Sequence, residues 1–441
     1  MKTTIRKIAL LALFLAGIYA LVLFGNTFLV QTDAVAYKTM KDMKSREDIE
    51  LALVGSSIVQ RHLNPAILTE ETGLTAFDVT ITNLSPAGAI PLTRELYRTN
   101  SPKYTVLAVE SYTFDTMKED IQTQMKLMPL LSSPLDRIRY WLDTAAQDGQ
   151  YMERALLFNT FGFERFEEFS RAMRLRMNTD KTFAEIEDGW QGEMIYSDGF
   201  LRHETMGDIS RELRETFIRV ETGYDYQVFD YTKEKLLEYK ALVEANGSEL
   251  IVVALPALTI HALAEPAVLP YLDSAARFFE ESGIPFYNFM YAKEELLPRL
   301  DHLYYDLYHM VGEGADILSA AVARVINAHI AGEDVSALFH RDSAEYLASI
   351  DFITNVWFEI RDNGDGTLML LADSNRGTNV TPQYRYVLRH EDGTETELRG
   401  YSKRRRLDVT PDQIKGGTVR VYARVLDGEQ DPALWYEIPE K

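Results

Sequence analysis

The chain contains no cysteine. That absence removes disulfide bonds, thiolate nucleophiles and zinc–thiolate centres together. It leaves the compartment open, because many exported proteins lack disulfides. Histidine is also scarce: of eight in 441 residues, only His302 and His309 lie near one another, and no HExxH-like pair occurs. Metal-binding spacing is therefore missing, so neither a metal nor a cofactor is expected. Basic side chains are the minority, 46 against 67 acidic ones, for a net charge of −21. Such a balance opposes non-specific attachment to nucleic acid or to anionic lipid surfaces, so no nucleic-acid partner is expected.

Long apolar runs are confined to the N-terminus. Lys2, Arg6 and Lys7 precede Ile8 to Gly25, which carries no charge, and Asn26-Thr27-Phe28-Leu29-Val30 extends it more weakly. Roughly 20 apolar residues span a bilayer as a helix, whereas a cleavable signal peptide has an apolar core of about 7–15. Ala34-Val35-Ala36 still offers a small-residue cleavage site. The basic flank stays in the cytoplasm and sends the chain after about residue 33 across the membrane. The expectation is a cytoplasmic stub and single-pass cell-membrane anchor over residues 1–33, with the bulk of the protein extracytoplasmic.

The remainder is too long for one typical core, and its pattern changes twice. An α/β rhythm covers 48–332, with Ile49 to Val54, Tyr104 to Glu110 and Glu249 to Leu255 as buried strands. Asn64-Pro65 opens a short helix between the first two. Within this region, about 112–231 loses its strand signal and reads as a helical insertion. Ser133-Pro134-Leu135-Asp136 is a strong helix start there, and Phe163, Phe166, Phe169 and Met173 make an apolar stripe that packs the insertion or covers a groove. A helix ending at Asn246-Gly247, another over about Val268 to Ser282, the short strand Ile284 to Phe289 and an apolar helix Ala315 to Ala328 complete the unit.

From 350 to 441 the reading is all-β. Val356 to Ile360, Thr367 to Ala372, Tyr384 to Arg389, Thr418 to Leu426 and Trp435 to Ile438 are strands, joined by turns such as Asn363-Gly364-Asp365-Gly366 and Asp392-Gly393. Val419, Val421, Ala423 and Val425 alternate with Arg420, Tyr422 and Arg424, one buried face and one polar. The expectation is a small immunoglobulin- or fibronectin-like sandwich. Lys403-Arg404-Arg405-Arg406 reads as a charged edge that blocks strand pairing, or as a contact for an anionic polymer.

The chemistry sits at two places far apart in sequence. Gly55-Ser56-Ser57 follows the run Leu51-Ala52-Leu53-Val54, and Asp306-Leu307-Tyr308-His309 leads through Gly312 and Gly314 into the last apolar helix. A serine hydroxyl is a poor nucleophile unless an imidazole takes its proton, and a carboxylate fixes that imidazole's tautomer. Ser57, His309 and Asp306 fit these roles. Sites in open α/β sheets lie beyond the carboxyl ends of strands, where both segments fall. His261, after Pro256, is a further candidate to line the pocket, and His62 is expected at the surface or near a helix start.

This arrangement resembles the SGNH (GDSL-like) hydrolase superfamily, over about residues 48–330. The likeness is nearest to its membrane-anchored exported members, which act in teichoic-acid D-alanylation and alginate acetylation. The resemblance implies a flavodoxin-like three-layer α/β sandwich with Ser57 as nucleophile and Asp306 and His309 as the closing DxxH block. It also implies an oxyanion-binding glycine, for which Gly88 in Asn83-Leu84-Ser85-Pro86-Ala87-Gly88 is the candidate. Losing one such donor costs roughly 2.7–4 kcal/mol of transition-state stabilisation. The family's asparagine after the second sheet strand is absent: Glu110-Ser111-Tyr112-Thr113 stands there, so Asn83 is the substitute candidate, and a carboxylate at Glu110 is unfavourable unless it points away.

Two readings follow. The first is an acyltransferase or esterase working on a cell-envelope polysaccharide or teichoic-acid-like polymer, beside the membrane-bound O-acyltransferase that the resemblance implies as partner. The second is a non-catalytic envelope adaptor on a degenerate fold.

Overall fold

The computed structural model describes residues 2–31, 33–115, 118–160, 162–207, 209, 216, 226–426, 428 and 434–437. Helix α1 (Lys2–Phe28) is long and apolar enough to cross a membrane. Asp33 then caps α2 (Ala34–Ser45) by accepting the Ala36 N–H.

The α/β unit is built on five parallel strands. β1 (Leu51–Gly55), α3 (Ser57–His62), α4 (Pro65–Thr72), β2 (Ala76–Thr80), α5 (Pro86–Leu96) and β3 (Tyr104–Val109) follow in order. Each of these helices starts on a side-chain cap. Ser56 accepts the Ile58 N–H, Asn64 accepts the Ala66 N–H with Pro65 in the first turn, and Ser85 accepts the Gly88 N–H with Pro86 in the first turn.

The insertion is mainly helical: α6 (Ile121–Leu127), α7 (Pro134–Asp148), α8 (Tyr151–Ala155), α9 (Leu157–Thr160), α10 (Phe166–Met177) and α11 (Thr179–Asp188). Ser133 caps α7 through the Asp136 N–H. The insertion also holds an antiparallel hairpin, β4 (Met194–Ser197) with β5 (Phe200–His203), which the sequence pattern does not reveal. The expected aromatic stripe is not a buried one. Phe166 is 80 % exposed, and α10 buries Ala172 and Leu175 instead.

Alternation resumes with α12 (Asp230–Ala245), β6 (Glu249–Ala254), α13 (Thr259–Ala264), α14 (Val268–Glu281), β7 (Phe286–Asn288), α15 (Gly312–Ala331) and α16 (Ser343–Ser349). The sheet order is β2-β1-β3-β6-β7, all parallel. Neighbouring residues along each strand serve opposite cores. Ala52, Val54, Phe77, Leu107 and Val252 pack with α2, α5, α12 and α14 on one face. Leu51, Leu53, Ala76, Val106 and Ile251 pack with α3, α4 and α15 on the other. Strand β2, which the sequence reading passed over, carries Asp78, buried with both carboxyl oxygens unpartnered. Burial, helped by Asp198, raises its pKa well above the ordinary carboxylate value, which favours its uncharged form.

The C-terminal unit has two antiparallel sheets. One runs β11-β10-β13-β14 (Glu395–Ser402, Pro382–Arg389, Thr418–Val425, Trp435–Glu437), the other β12-β9-β8 (Arg406–Val409, Leu368–Arg376, Ile353–Asp362). Val356, Phe358, Leu370, Tyr384, Tyr386 and Val421 share their core. The strand expected to reach Ile438 is described to Glu437; Ile438 lies outside the described residues. The face of β13 expected to be polar is covered too: Arg420 is 9 % exposed, stacked 3.7 Å over the Trp435 ring and bonded to Glu437. Lys403 to Arg405 link β11 to β12, the edge strands of the two sheets.

Gly55 sets how closely α3 approaches the sheet. A Cβ there would meet Val59 Cγ2 at 2.2 Å and the Ala108 carbonyl at 2.9 Å. Gly55→Ala is therefore expected to lower stability by about 1–3 kcal/mol through overpacking. A urea unfolding midpoint equal to wild type would contradict this account.

Candidate active site

Ser57 is the first residue of α3, immediately beyond the carboxyl end of β1. The preceding Ser56 does two things at once. Its hydroxyl oxygen accepts the Ile58 N–H at 3.3 Å, and its hydrogen goes to Glu110 Oε1 at 3.0 Å. The carboxyl ends of β1 and β3 are thereby tied together beneath the Ser57 side chain.

Asp306 and His309 belong to a tight turn before α15. The Tyr305 N–H donates to the His309 carbonyl at 3.0 Å. Asp306 Oδ1 accepts the backbone N–H groups of Tyr308 and His309, each at 2.8 Å. The same carboxylate lies 2.9 Å from His309 Nδ1, and His309 Nε2 lies 3.2 Å from Ser57 Oγ. The structure thus brings Ser57, His309 and Asp306 into one hydrogen-bonded line. Burial works against an ionised Asp306, but the His309 ring and the two backbone donors outweigh it and hold its pKa at about 2. An ionised Asp306 keeps the proton on Nδ1, leaving Nε2 to accept from the serine.

His62 is the residue that sequence reasoning misplaced. Far from the surface, its side chain is fully buried at the end of α3. Burial pushes its pKa down to about 3, so the ring is neutral. Its Nε2 accepts the Met310 N–H at 3.1 Å, with the Tyr308 carbonyl 3.1 Å from the same nitrogen. It therefore positions the turn carrying His309 against the helix carrying Ser57. A helix-start histidine and a buried loop clamp look alike in sequence, because the loop that buries His62 comes from over 240 residues away.

The two oxyanion candidates separate. Gly88 is buried within α5, its N–H donates to Ser85 Oγ at 3.2 Å, and it does not line the cleft that holds Ser57 and His309. Asn83 does line it, at an exposed rim position with φ +61°, and its carbonyl accepts the Thr123 hydroxyl at 2.9 Å. The cleft is about 460 Å³ and is lined by Ser57, Ile58, Asn83, Leu84, Ser85, Glu110, Tyr112, Thr113, Asp120, Tyr308 and His309. None of these is a lysine or an arginine.

Glu110 does not point away. It faces the cleft, and burial raises its pKa against the opposing pull of Ser56 and His309, which favours its uncharged form. His261 lies to one side. It lines a neighbouring apolar cavity of about 30 Å³ with Ile58, Tyr112, Leu272 and Tyr308, its Nε2 2.7 Å from the Tyr112 hydroxyl. Burial lowers its pKa to about 4. A larger cavity of about 740 Å³, around Arg299, Asp301 and Tyr346, contains none of the three aligned residues. Among the described residues, no group of three or more His, Asp or Glu side chains is placed to hold a metal ion.

Ser85 connects the cleft to a buried acid. Its hydroxyl donates to Glu119, whose backbone carbonyl accepts from the buried Arg154 at 2.6 Å. Burial raises the Glu119 pKa to about 7, against the lowering pull of Ser85 and Arg154.

The chain matches no protein-family model and no curated protein. The functional reading therefore rests on the geometry of this site.

Two expectations follow. His62→Ala leaves the buried Met310 N–H without a partner and should cost about 1–3 kcal/mol. His62→Gln, which keeps an acceptor, should cost less; equal losses in denaturant unfolding would remove the positioning role. Glu119 holds its proton more tightly folded than unfolded, where the ordinary value is 4.5. Its stabilising contribution is complete below that value and disappears as pH rises through about 7. Glu119→Gln should flatten stability between these two pH values by about 1–3 kcal/mol; an unchanged pH profile would contradict the assignment.

Proposed function

We propose that this protein is an extracytoplasmic, membrane-anchored serine acyltransferase or esterase of SGNH type, acting on ester-linked acyl groups of a cell-envelope glycopolymer. The observation that carries the reading is the His309 ring, with Asp306 at 2.9 Å on one nitrogen and Ser57 at 3.2 Å on the other. His309 takes the Ser57 proton as Oγ attacks the ester carbonyl, and Asp306 stabilises the imidazolium. The tetrahedral oxygen receives the Ser57 backbone N–H, which has no intrahelical acceptor at its first-turn position, and the side chain of Asn83. Collapse of this intermediate expels the alcohol, which takes the proton from His309, and leaves acyl-Ser57. A second hydroxyl, from an acceptor or from water, loses its proton to His309 and attacks the acyl-serine, which restores the free serine.

The fold supports the class. Its strand order places the site at the carboxyl ends of β1 and β3, where a flavodoxin-like doubly wound sheet changes direction. The cleft supports the acceptor. Acidic Asp120 and uncharged hydrogen-bonding groups at Asn83, Ser85 and Thr113, without a cation, suit hydroxyl-rich sugar better than an anionic group. The C-terminal two-sheet unit is read as immunoglobulin- or fibronectin-like, and α1 as the anchor that keeps the enzyme beside a membrane-bound O-acyltransferase.

A serine-reactive fluorophosphonate tests the proposal. Wild type should label stoichiometrically, while Ser57→Ala and His309→Ala should lose at least 90 % of the signal, roughly the tenfold or greater effect of removing a nucleophile or its base. A folded wild-type protein that does not label would favour the adaptor reading, with the cleft as a polymer-binding groove.

A further inference from the structure

The anchor helix does not stand clear of the rest of the molecule. The Tyr19 hydroxyl meets the Pro134 carbonyl at 3.5 Å. The Asn26 amide donates to the Ala155 carbonyl at 2.8 Å and its oxygen accepts the Phe158 N–H at 3.4 Å. The Phe158 ring lies so close to Gly25 that a Cβ would stand 2.4 Å from it. Arg176 donates to the carbonyls of Phe28 and Val30 at 3.1 and 3.0 Å. The helical insertion thus touches one side of α1 at points from its exit back to Tyr19, while Leu21 and Phe24 stay exposed.

The length of α1 leaves little room for this packing outside the membrane. At about 1.5 Å per residue, Ile8 to Gly25 spans roughly 27 Å, against a hydrocarbon core of roughly 30 Å. Were everything from Tyr19 onward outside the bilayer, Thr4 to Ile18 would remain. That stretch is only about 22 Å long and includes Arg6 and Lys7. Tyr19 lies about 9 Å below Gly25 along the helix, so whatever touches it enters the bilayer with it.

We propose that the start of α7, with the adjoining α8, is seated in the outer leaflet of the bilayer that α1 crosses, so that the insertion is a second, non-spanning membrane contact. The surface there offers apolar side chains to lipid, with the exposed Arg139 and Glu153 beside them at headgroup depth. Leu135 and Leu142, two turns apart on α7, are 54 % and 46 % exposed, and Tyr151 and Met152 on α8 are 45 % and 69 % exposed. Arg137, three residues after Pro134, is not left bare, since its Nε donates to the Leu131 carbonyl at 2.6 Å. Apolar side chains at headgroup and upper acyl depth are what holds such interfacial helices. This inference rests on the reading of α1 as a retained anchor.

The absence of cysteine makes the test direct. Full-length Leu135→Cys, Met152→Cys and, as a control on the exposed β10–β11 turn, Glu391→Cys are labelled with a polarity-sensitive nitrobenzoxadiazole. The labelled proteins are reconstituted into phosphatidylcholine vesicles with or without brominated acyl chains. Probes at 135 and 152 should be quenched at least twofold more by the brominated lipid than the probe at 391, and should resist aqueous iodide. Leu142→Cys provides a further position if either variant unfolds at a lower temperature than wild type. Intact mass separates the two ways of failing. A chain that keeps residues 1–33 in the vesicles but shows 135 and 152 as accessible to iodide as 391 overturns the leaflet contact alone. A chain that has lost its first 33 or so residues overturns the anchor and the leaflet contact together.

Discussion

The contact that the site depends on is the approach of α3 to the end of the sheet at Gly55. With no Cβ there, Val59 and the Ala108 carbonyl close over the backbone, and Ser57 is held at a fixed height above the carboxyl ends of β1 and β3. Everything else in the site is referred to that height. Ser56 fastens α3 to Glu110 at the end of β3, and His62 at the far end of the same short helix fastens it to the turn holding His309. The helix is six residues long and is gripped at both ends, so Ser57 and the turn carrying His309 are positioned by one rigid piece.

A chain with net charge −21 has to manage its acids, and the interior of this one does so by neutralising some and pairing others. Asp78, Glu110 and Glu119 are pushed toward their protonated forms by burial. Asp306 and Glu95 go the other way, Asp306 held ionised by three donors from its own turn and the buried Glu95 by Ser132 and Lys44. The two outcomes have one cause: a desolvated carboxylate survives only where hydrogen-bond donors replace its water. At Glu110 the same burial works against a charge at the cleft, while Ser56 and His309 pull the other way.

Much of this was legible along the chain. The capping residues at Asn64 and Ser133 marked real helix starts, and the strands at Leu51–Gly55, Tyr104–Val109 and Glu249–Ala254 lie within a residue or two of their apolar runs. What was missed has a common character. β2 carries a buried aspartate, while β11 and β12 are rich in charge, so their composition argues against a strand. Only pairing to a neighbour makes them strands. Gly88 was a reasonable oxyanion candidate by order in the chain, but the Ser85 cap takes its N–H, and a cap is a local geometry that spacing does not reveal.

Local pattern along the chain already specifies the apolar N-terminal helix, the α/β character of the middle and the β character of the end, and it singles out a serine, an aspartate and a histidine as candidates for acyl chemistry. These follow from properties that neighbouring residues express together: periodicity, capping and side-chain type. Long-range packing brings Ser57 and His309, 252 positions apart, to 3.2 Å. It alone decided that His62 is buried, that Glu110 faces the cleft and that α1 is flanked by the insertion as far back as Tyr19. Each of these depends on which distant segment supplies the desolvation or the partner, and that is set by the packing of the whole chain.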